Sequence, residues 1–193
     1  MGNYNPCILS LLKCCLLVLS LLLITKANFI PDFVPNDRTS VLYVPEGQPN
    51  GTSIRRLQGV DSNYDTLTFG IKSFTENENP FFVERVSKTE ADLRLKMELD
   101  RENVSEYWID LTLVDGRVPY PGKIQFLLVI VQDLNDNSPI FEPFNDTFSI
   151  VENSEVPTQV AKLKAKDVDE GPNGEVTYSL ELDEDDKDKF NLQ

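Results

Sequence analysis

The chain has 193 residues with 32 acidic against 18 basic side chains, a net charge of −14, and no histidine. So acidic a balance leaves no basic stripe for nucleic acid as a partner, and without histidine neither serine–histidine nor cysteine–histidine catalysis can be assembled. The length sets an expectation of one to two domains.

The first element is apolar. The run from Cys14 to Thr25 is 12 residues long, roughly 18 Å as a helix, which is short of the ~30 Å core of a bilayer. Lys13 precedes it and Thr25-Lys26-Ala27 follows it as a small-residue cleavage site. Residues 1–27 therefore read as a secretory signal peptide, with an uncleaved anchor as the alternative. Its removal takes away Cys7, Cys14, Cys15, Lys13 and Lys26, leaving 16 basic and 32 acidic residues, a net charge of −16, and no cysteine. A secreted domain with no disulfide staple is unusual. Without thiolate or imidazole a transition-metal site is disfavoured. Carboxylates, amides and carbonyls suit a hard cation, which outside the cell means calcium.

From residue 42 onward the patterns are those of strands. "LYVPEGQPNGTSI" (42–54) is followed by "DTLTFGIKS" (65–73) and "ADLRLKMEL" (91–99), both alternating. In "SEYWIDLTLVD" (105–115), Tyr107, Ile109, Leu111 and Leu113 share one side and Trp108, Asp110 and Thr112 the other. "PNG", "NENP", "VDGRVPYPG" and "GPNG" supply the turns. About seven strands and no convincing helix are expected in this first module, an all-β sandwich with Greek-key connections. "KIQFLLVIV" (123–131) is apolar on both sides, which places Leu127, Val129 and Val131 inward and Phe126, Leu128 and Ile130 outward beside Trp108. It runs into "VQDLNDNSPIF" (131–141), where Asp133, Asn135, Asp136 and Asn137 crowd together before Pro139 stops the strand. Packed acids repel, so something outside the chain must neutralise them.

The sequence then repeats. "FSIVENSEVPTQV" (148–160) echoes 42–54, and "LKAKDVDEGPNGEVTYSL" (163–180) echoes "LQGVDSNYDTLTFGI" (57–71). Glu46 and Glu152, Asp61 and Asp167, and Asn63 and Asp169 are each 106 residues apart. A fixed period with acids in matching places means tandem modules. The expected boundaries are 28–136 for the first and 137–193 for a partial second.

These segments resemble the cadherin repeat family. "DLNDNSPIF" is similar to its linker motif, as are "LDRE" (99–102), "VPEG" and "IVEN" around Glu46 and Glu152, and "DVDEGPNGEVTYSL" (167–180). The resemblance covers the whole chain after residue 27. It implies tandem seven-strand Greek-key β-sandwiches, the second one truncated, with three calcium ions in the joint. Carried over by motif, one ion takes Glu46, Asp100, Glu102 and Asp136. A second shares Glu46, Glu102 and Asp136 and adds Asp133, Asp169 and the Leu134 carbonyl. A third takes Asn135, Asp167 and Asp169 with the carbonyls of Asn137 and Asn173. The family closes the third site with a later Asp that lies beyond Gln193, so that site is expected to be incomplete and weakest. Glu152 belongs to a following joint and is expected to be a spectator.

The start "NFIPDFVPN" (28–36) lacks the early tryptophan of strand-swapping cadherins, and Pro31 and Pro35 suggest a rigid start. It is closer to the long tip-link, photoreceptor and protocadherin-like types. From those, a further candidate calcium site at the free tip of module one is implied, built from Asn28, the Phe29 carbonyl, Asp61, Asn63, Asp65 and Asp115. An ordinary polar turn is the alternative for "DSNYD". Paired acids could serve a glycosidase, but no surrounding barrel or second lobe accompanies them, so no enzyme and no small-molecule substrate is expected.

Two functions remain open. One is calcium-dependent cell–cell adhesion, homophilic or heterophilic, by the amino-terminal tip of a cadherin whose parent sits in the plasma membrane. The other is a secreted calcium-binding fragment with no adhesion of its own. The chain itself carries no family membrane span. Sequons at Asn50, Asn103 and Asn145 suit an extracellular glycoprotein.

Overall fold

Alternating segments of the sequence become strands whose buried members share one core. The computed structural model describes residues 29–36, 39–72, 79–116 and 122–192. The signal-peptide segment and Asn28 fall outside the described residues.

The strands are β1 (Asp32–Val34), β2 (Thr39–Pro45), β3 (Ser53–Val60), β4 (Thr68–Lys72), β5 (Phe81–Arg85), β6 (Glu90–Leu95), β7 (Glu106–Val114) and β8 (Lys123–Gln132), then the short β9 (Ile140–Phe141) and β10 (Ala165–Lys166). One four-stranded sheet has the order β1-β3-β6-β5 and the other β2-β8-β7-β4. The β1–β3, β3–β6, β5–β6 and β4–β7 pairings are antiparallel, with Asp32 opposite Val60, Leu57 opposite Ala91 and Thr68 opposite Val114. Among the described residues, eight strands rather than about seven precede residue 133, because the opening strand is divided. Pro35 has no N–H and cannot continue a ladder, so β1 ends there and β2 joins the other sheet.

The chain separates into two compact units. The first holds the described residues up to Leu42 with Pro49–Met97 and Trp108–Leu128. Its core comprises Phe33, Leu57, Leu67, Phe81, Leu93, Leu95, Leu111, Leu113 and Leu127, all at most 3% exposed. Burying each such side chain stabilises by roughly 1.5–3 kcal/mol. Phe33 of β1 meets Phe69 of β4 edge to face, with ring centres 6.1 Å apart, so the start of the chain is docked on its own repeat. Phe29 is exposed while Pro31 is buried.

The second unit holds Tyr43–Gln48, Glu98–Tyr107 and Val129–Gln193. Here β9 pairs with β10, Phe141 opposite Ala165, and Phe141 packs on Phe144 and Tyr178. A 3₁₀ turn spans Gly171–Gly174. The alternating stretches at 148–160 and 175–180 do not become strands. Strand hydrogen bonds are made pairwise, and among the described residues these stretches have no ladder partner, so alternation alone does not order them.

A carboxylate-lined candidate metal centre

Glu46 directly follows β2 and opens the turn that ends the strand. Its N–H donates to the Gln132 carbonyl at 3.0 Å, and Gly47 turns the chain at φ +68°, a conformation that favours glycine. The Gly47 N–H then donates to Leu99 O at 3.1 Å. This turn buries the Glu46 side chain, only 2% exposed. Its two oxygens accept the backbone N–H of Leu134 at 2.9 Å and of Arg101 at 2.6 Å. A buried carboxylate is tolerable only when hydrogen-bonded in this way. One side chain thus fixes both loops of the site.

The "LDRE" segment is one turn anchored by buried Leu99. Asp100 O accepts from Val104 N at 2.9 Å and Asp100 Oδ1 from Asn103 N at 3.0 Å, an arrangement that ends with Glu102 facing Glu46. In the segment after β8, Asp136 N donates to Leu134 O at 2.8 Å, a tight bend of the γ type. Asn137 Nδ2 donates to Asp136 Oδ1 and to Asp169 Oδ1, each at 2.8 Å. The loop before the 3₁₀ turn is an Asx turn, Asp167 Oδ1 accepting Asp169 N at 3.0 Å. Gly174 is required there, because a Cβ would come within 2.3 Å of Asp169 O. Asp169 is 8% exposed. Glu170 N and Asn173 Nδ2 both donate to Asp133, at 3.0 and 2.8 Å.

Two groups of three result. Carboxylate oxygens of Glu46, Glu102 and Asp136 lie within 4.8 Å of one another, and so do those of Glu102, Asp133 and Asp169. Glu102 belongs to both. Partial loss of hydration raises the Glu102 carboxyl above its ordinary range, and the charges of Glu46 and Asp133 add to this. Asp136 is raised for the same first reason, then by Glu46, Asp169, Asp100 and Asp133. Loss of hydration also acts on Asp133, yet its hydrogen bonds from Asn173 and the Glu170 backbone, with the Arg101 charge, hold it below the ordinary range. The donor set is hard oxygen throughout, which fits a hard cation such as calcium rather than a soft or nitrogen-seeking metal.

Of the residues expected to ligate, Glu46, Glu102, Asp133, Asp136 and Asp169 meet in these groups. Asp100 and Asp167 lie outside both groups and each accepts a hydrogen bond within its own turn. Leu134 O accepts from Asp136 N, the side chains of Asn137 and Asn173, whose carbonyls are the expected ligands, donate the hydrogen bonds above, and Asn135 is exposed. Sequence reasoning passed over Arg101, whose guanidinium reaches Glu102, Asp133 and Glu170. Its signal was a lone base between two acids of "LDRE".

At the other candidate site, Asp61 Oδ2 accepts from Asn63 N at 3.1 Å and Asp65 N at 2.9 Å, the same Asx turn as at Asp167. Asp61 Oδ1 is buried without a hydrogen-bond partner, and Asp115 is 6% exposed. These residues belong to neither of the two close groups. Asn28 lies outside the described residues, and Phe29 is exposed. Asn50, Asn103 and Asn145 are all exposed.

No family model matches the chain. Human Protocadherin-15 is 35% identical over 139 residues, covering 72% of this chain and 7% of that protein. Mouse Protocadherin Fat 2 is 35% identical over 170 residues, covering 84% of this chain and 4% of its own length. The chain belongs to the cadherin family. A crystal structure of human Protocadherin-24 EC1-2 superposes with a TM-score of 0.64 at 31% identity, covering 83% of this chain and 71% of that one. Protocadherin Gamma B2 extracellular cadherin domains 3-6 superposes with a TM-score of 0.68 at 24% identity, a likeness of fold. The chain spans a small part of the full-length cadherins it matches, 14% in the case of pig Protocadherin-11 X-linked. The cadherin fold places "VPEG", "LDRE" and "DLNDN" together at one end of β2, β7 and β8.

Proposed function

We propose that residues 28–136 and 137–193 are consecutive cadherin repeats joined through calcium, and that the protein serves calcium-dependent cell–cell adhesion, presenting its first repeat to another cadherin ectodomain. The observation that carries this reading is the pair of carboxylate groups sharing Glu102, each with oxygens within 4.8 Å. Glu46, Glu102, Asp133, Asp136 and Asp169 would hold the ions, with Asp100, Asp167 and the asparagines and carbonyls of 134–137 and 173 completing the sets. Calcium, when bound, neutralises these carboxylates. The chain's own contribution is to aim them, through Glu46 on two backbone N–H groups and through the Asx turn at Asp167. Residues 1–27 are a signal peptide that routes the chain outside the cell, and Asn50, Asn103 and Asn145 carry glycans there. Asp61, Asn63, Asp65 and Asp115 hold a further calcium with Asn28 and the Phe29 carbonyl, for which the orphaned buried oxygen of Asp61 is the supporting observation.

The faces of the first unit support an adhesive role. On the outer side of the β1-β3-β6-β5 sheet, Arg56 pairs with Asp92 and Glu90, and Arg94 with Glu84 and Asp92. On the other sheet, Val41, Trp108, Ile124 and Phe126 are between 39% and 54% exposed. Grouped exposed apolar side chains mark contact surfaces. Phe126→Lys should leave folding unchanged and weaken adhesion in a bead-aggregation assay; loss of folding would show that the face is core. No helix among the described residues is long and apolar enough to cross a membrane. The second reading is a secreted calcium-binding fragment without adhesion of its own. Beads coated with the chain that stay dispersed in calcium, while calcium still binds, would favour that second reading.

The joint is tested by limited proteolysis at 133–140 in calcium and in chelator, with a calcium titration in parallel. Protection in calcium is expected, with affinity on the order of 10⁻⁴–10⁻³ M. Equal cleavage in both would refute the joint.

A further inference from the structure

Arg101 stands inside the acidic cluster, and its contacts are unequal. Nε and Nη2 both approach Glu170 Oε2, at 3.1 and 2.8 Å. Nη1 is 3.4 Å from Glu102 Oε1 and 3.4 Å from Asp133 Oδ1. The closer contacts therefore go to Glu170, which belongs to neither carboxylate group, and the longer ones go to residues that do belong. Both partners are fixed at the backbone. Arg101 N donates to Glu46 Oε2, and Glu170 N donates to Asp133 Oδ1. The Arg101 side chain is 16% exposed, so its hydration is already reduced, while Glu170 is 67% exposed.

We propose that Arg101 and Glu170 form a clasp between the 99–104 turn and the 167–174 loop that limits how far these loops part without calcium and that persists when calcium binds. The clasp rests on the calcium-joint reading above for its purpose and not for its existence. Glu170 contributes no oxygen to the ions, so calcium does not compete for it. When an ion takes Glu102 and Asp133, the guanidinium gives up its two longer contacts and keeps the closer pair. With no ion bound, the same guanidinium offsets the repulsion of Glu102 and Asp133. The planar fork of arginine can do both at once, two N–H groups on one carboxylate and a third aimed elsewhere; a lysine point charge cannot. The effect on calcium affinity is small, because two consequences of losing Arg101 oppose each other. A positive charge near the ions disappears, which strengthens binding, and the empty loops lose order, which weakens it.

Hydrogen exchange of the full chain, read by mass spectrometry on peptides spanning 130–137 and 167–174, tests this with and without calcium. In chelator, Arg101→Gln and Glu170→Gln should each raise exchange of these peptides by roughly 1.4- to fivefold, the range expected of an ion pair with one exposed partner. The double variant should exchange no faster than Arg101→Gln alone, since that variant already removes the contact with Glu170. In excess calcium all variants should approach the parent, with affinity within about threefold of it. Peptides from β3 and β6 report on folding, and Glu170→Gln changes an exposed side chain that cannot unfold the repeat. Variants that match the parent in chelator, or a double variant that is additive, would overturn the clasp. A parent whose exchange is the same in chelator and in calcium would instead overturn the calcium joint, and the clasp would still be judged on the chelator data alone.

Discussion

The two repeats carry the same alternating patterns and the same acidic loop, yet they settle differently. Among the described residues, every buried apolar side chain lies at or before Val131. In 137–192 the buried residue is Asp169, while Phe148, Ile150, Leu163 and Leu180 are exposed. The loop at 61–65 and the loop at 167–169 nevertheless make the same Asx turn. The difference teaches which features are local. An Asx turn needs a carboxylate and an amide two residues away, so it forms in both copies. A core needs two sheets packed face to face, and in 137–192 the only ladder is the two-residue pairing of β9 with β10.

The largest effect should separate the two copies by their packing. Leu113→Ala in the first repeat should cost about 2–5 kcal/mol, whereas Leu180→Ala should stay within about 0.5 kcal/mol, as exposed positions do. Urea unfolding followed by Trp108 fluorescence measures both. Equal losses would mean that the second segment has a core of its own.

Next comes the contrast between Glu46 and its repeat partner Glu152. Glu46→Ala strands the N–H groups of Arg101 and Leu134, at a cost of about 1–3 kcal/mol, and should lower calcium affinity at least tenfold. Glu152→Ala, an exposed residue, should change neither. Calorimetric titration of both variants decides, and a parent-like Glu46→Ala would remove Glu46 from the ligand set.

The two Asx loops can be compared in the same way. Asp61→Ala with Asp65→Ala should remove one calcium from the stoichiometry and leave joint protection at 133–140 intact. Binding equal to the parent in number and strength would refute the tip site.

The smallest effect is one of pH. Glu102 and Asp136 are raised, so they hold protons at a higher pH than ordinary carboxyls. Calcium must displace those protons, so affinity should fall as pH is lowered from 7 to 5, beginning above the ordinary carboxylate range. Asp133 is lowered and stays ionised throughout. Titrations at pH 7, 6 and 5 check the sign; an affinity that is flat or rises on acidification would contradict it.

Much of the first repeat was legible because strand alternation has a period of two and leaves its mark residue by residue. Ile109, Leu111, Leu113, Leu127, Val129 and Val131 are buried as their parity requires. The meeting of Glu46, Glu102, Asp133, Asp136 and Asp169 was legible through motif order, since short turns and strand ends place those side chains with little freedom. The division of the opening strand at Pro35 was written in the sequence, but its consequence was not. Only the pairing of β1 with β3 and the place of β2 beside β8 decide which sheet each half joins. Asp110 shows the limit of parity, because it shares a side with exposed Trp108 and is nevertheless 8% exposed.

The sequence by itself determined the family, the strands of the first repeat and the oxygen chemistry of the joint, because each depends on residue type and on spacing within a few positions. The tertiary structure decided where the Arg101 guanidinium goes. A long side chain with many rotamers is aimed by its neighbours, and Glu170 is 69 residues away along the chain. It also decided that Phe148, Ile150, Leu163 and Leu180 stay exposed, because burial depends on an opposing sheet and not on the pattern of the strand that would face it.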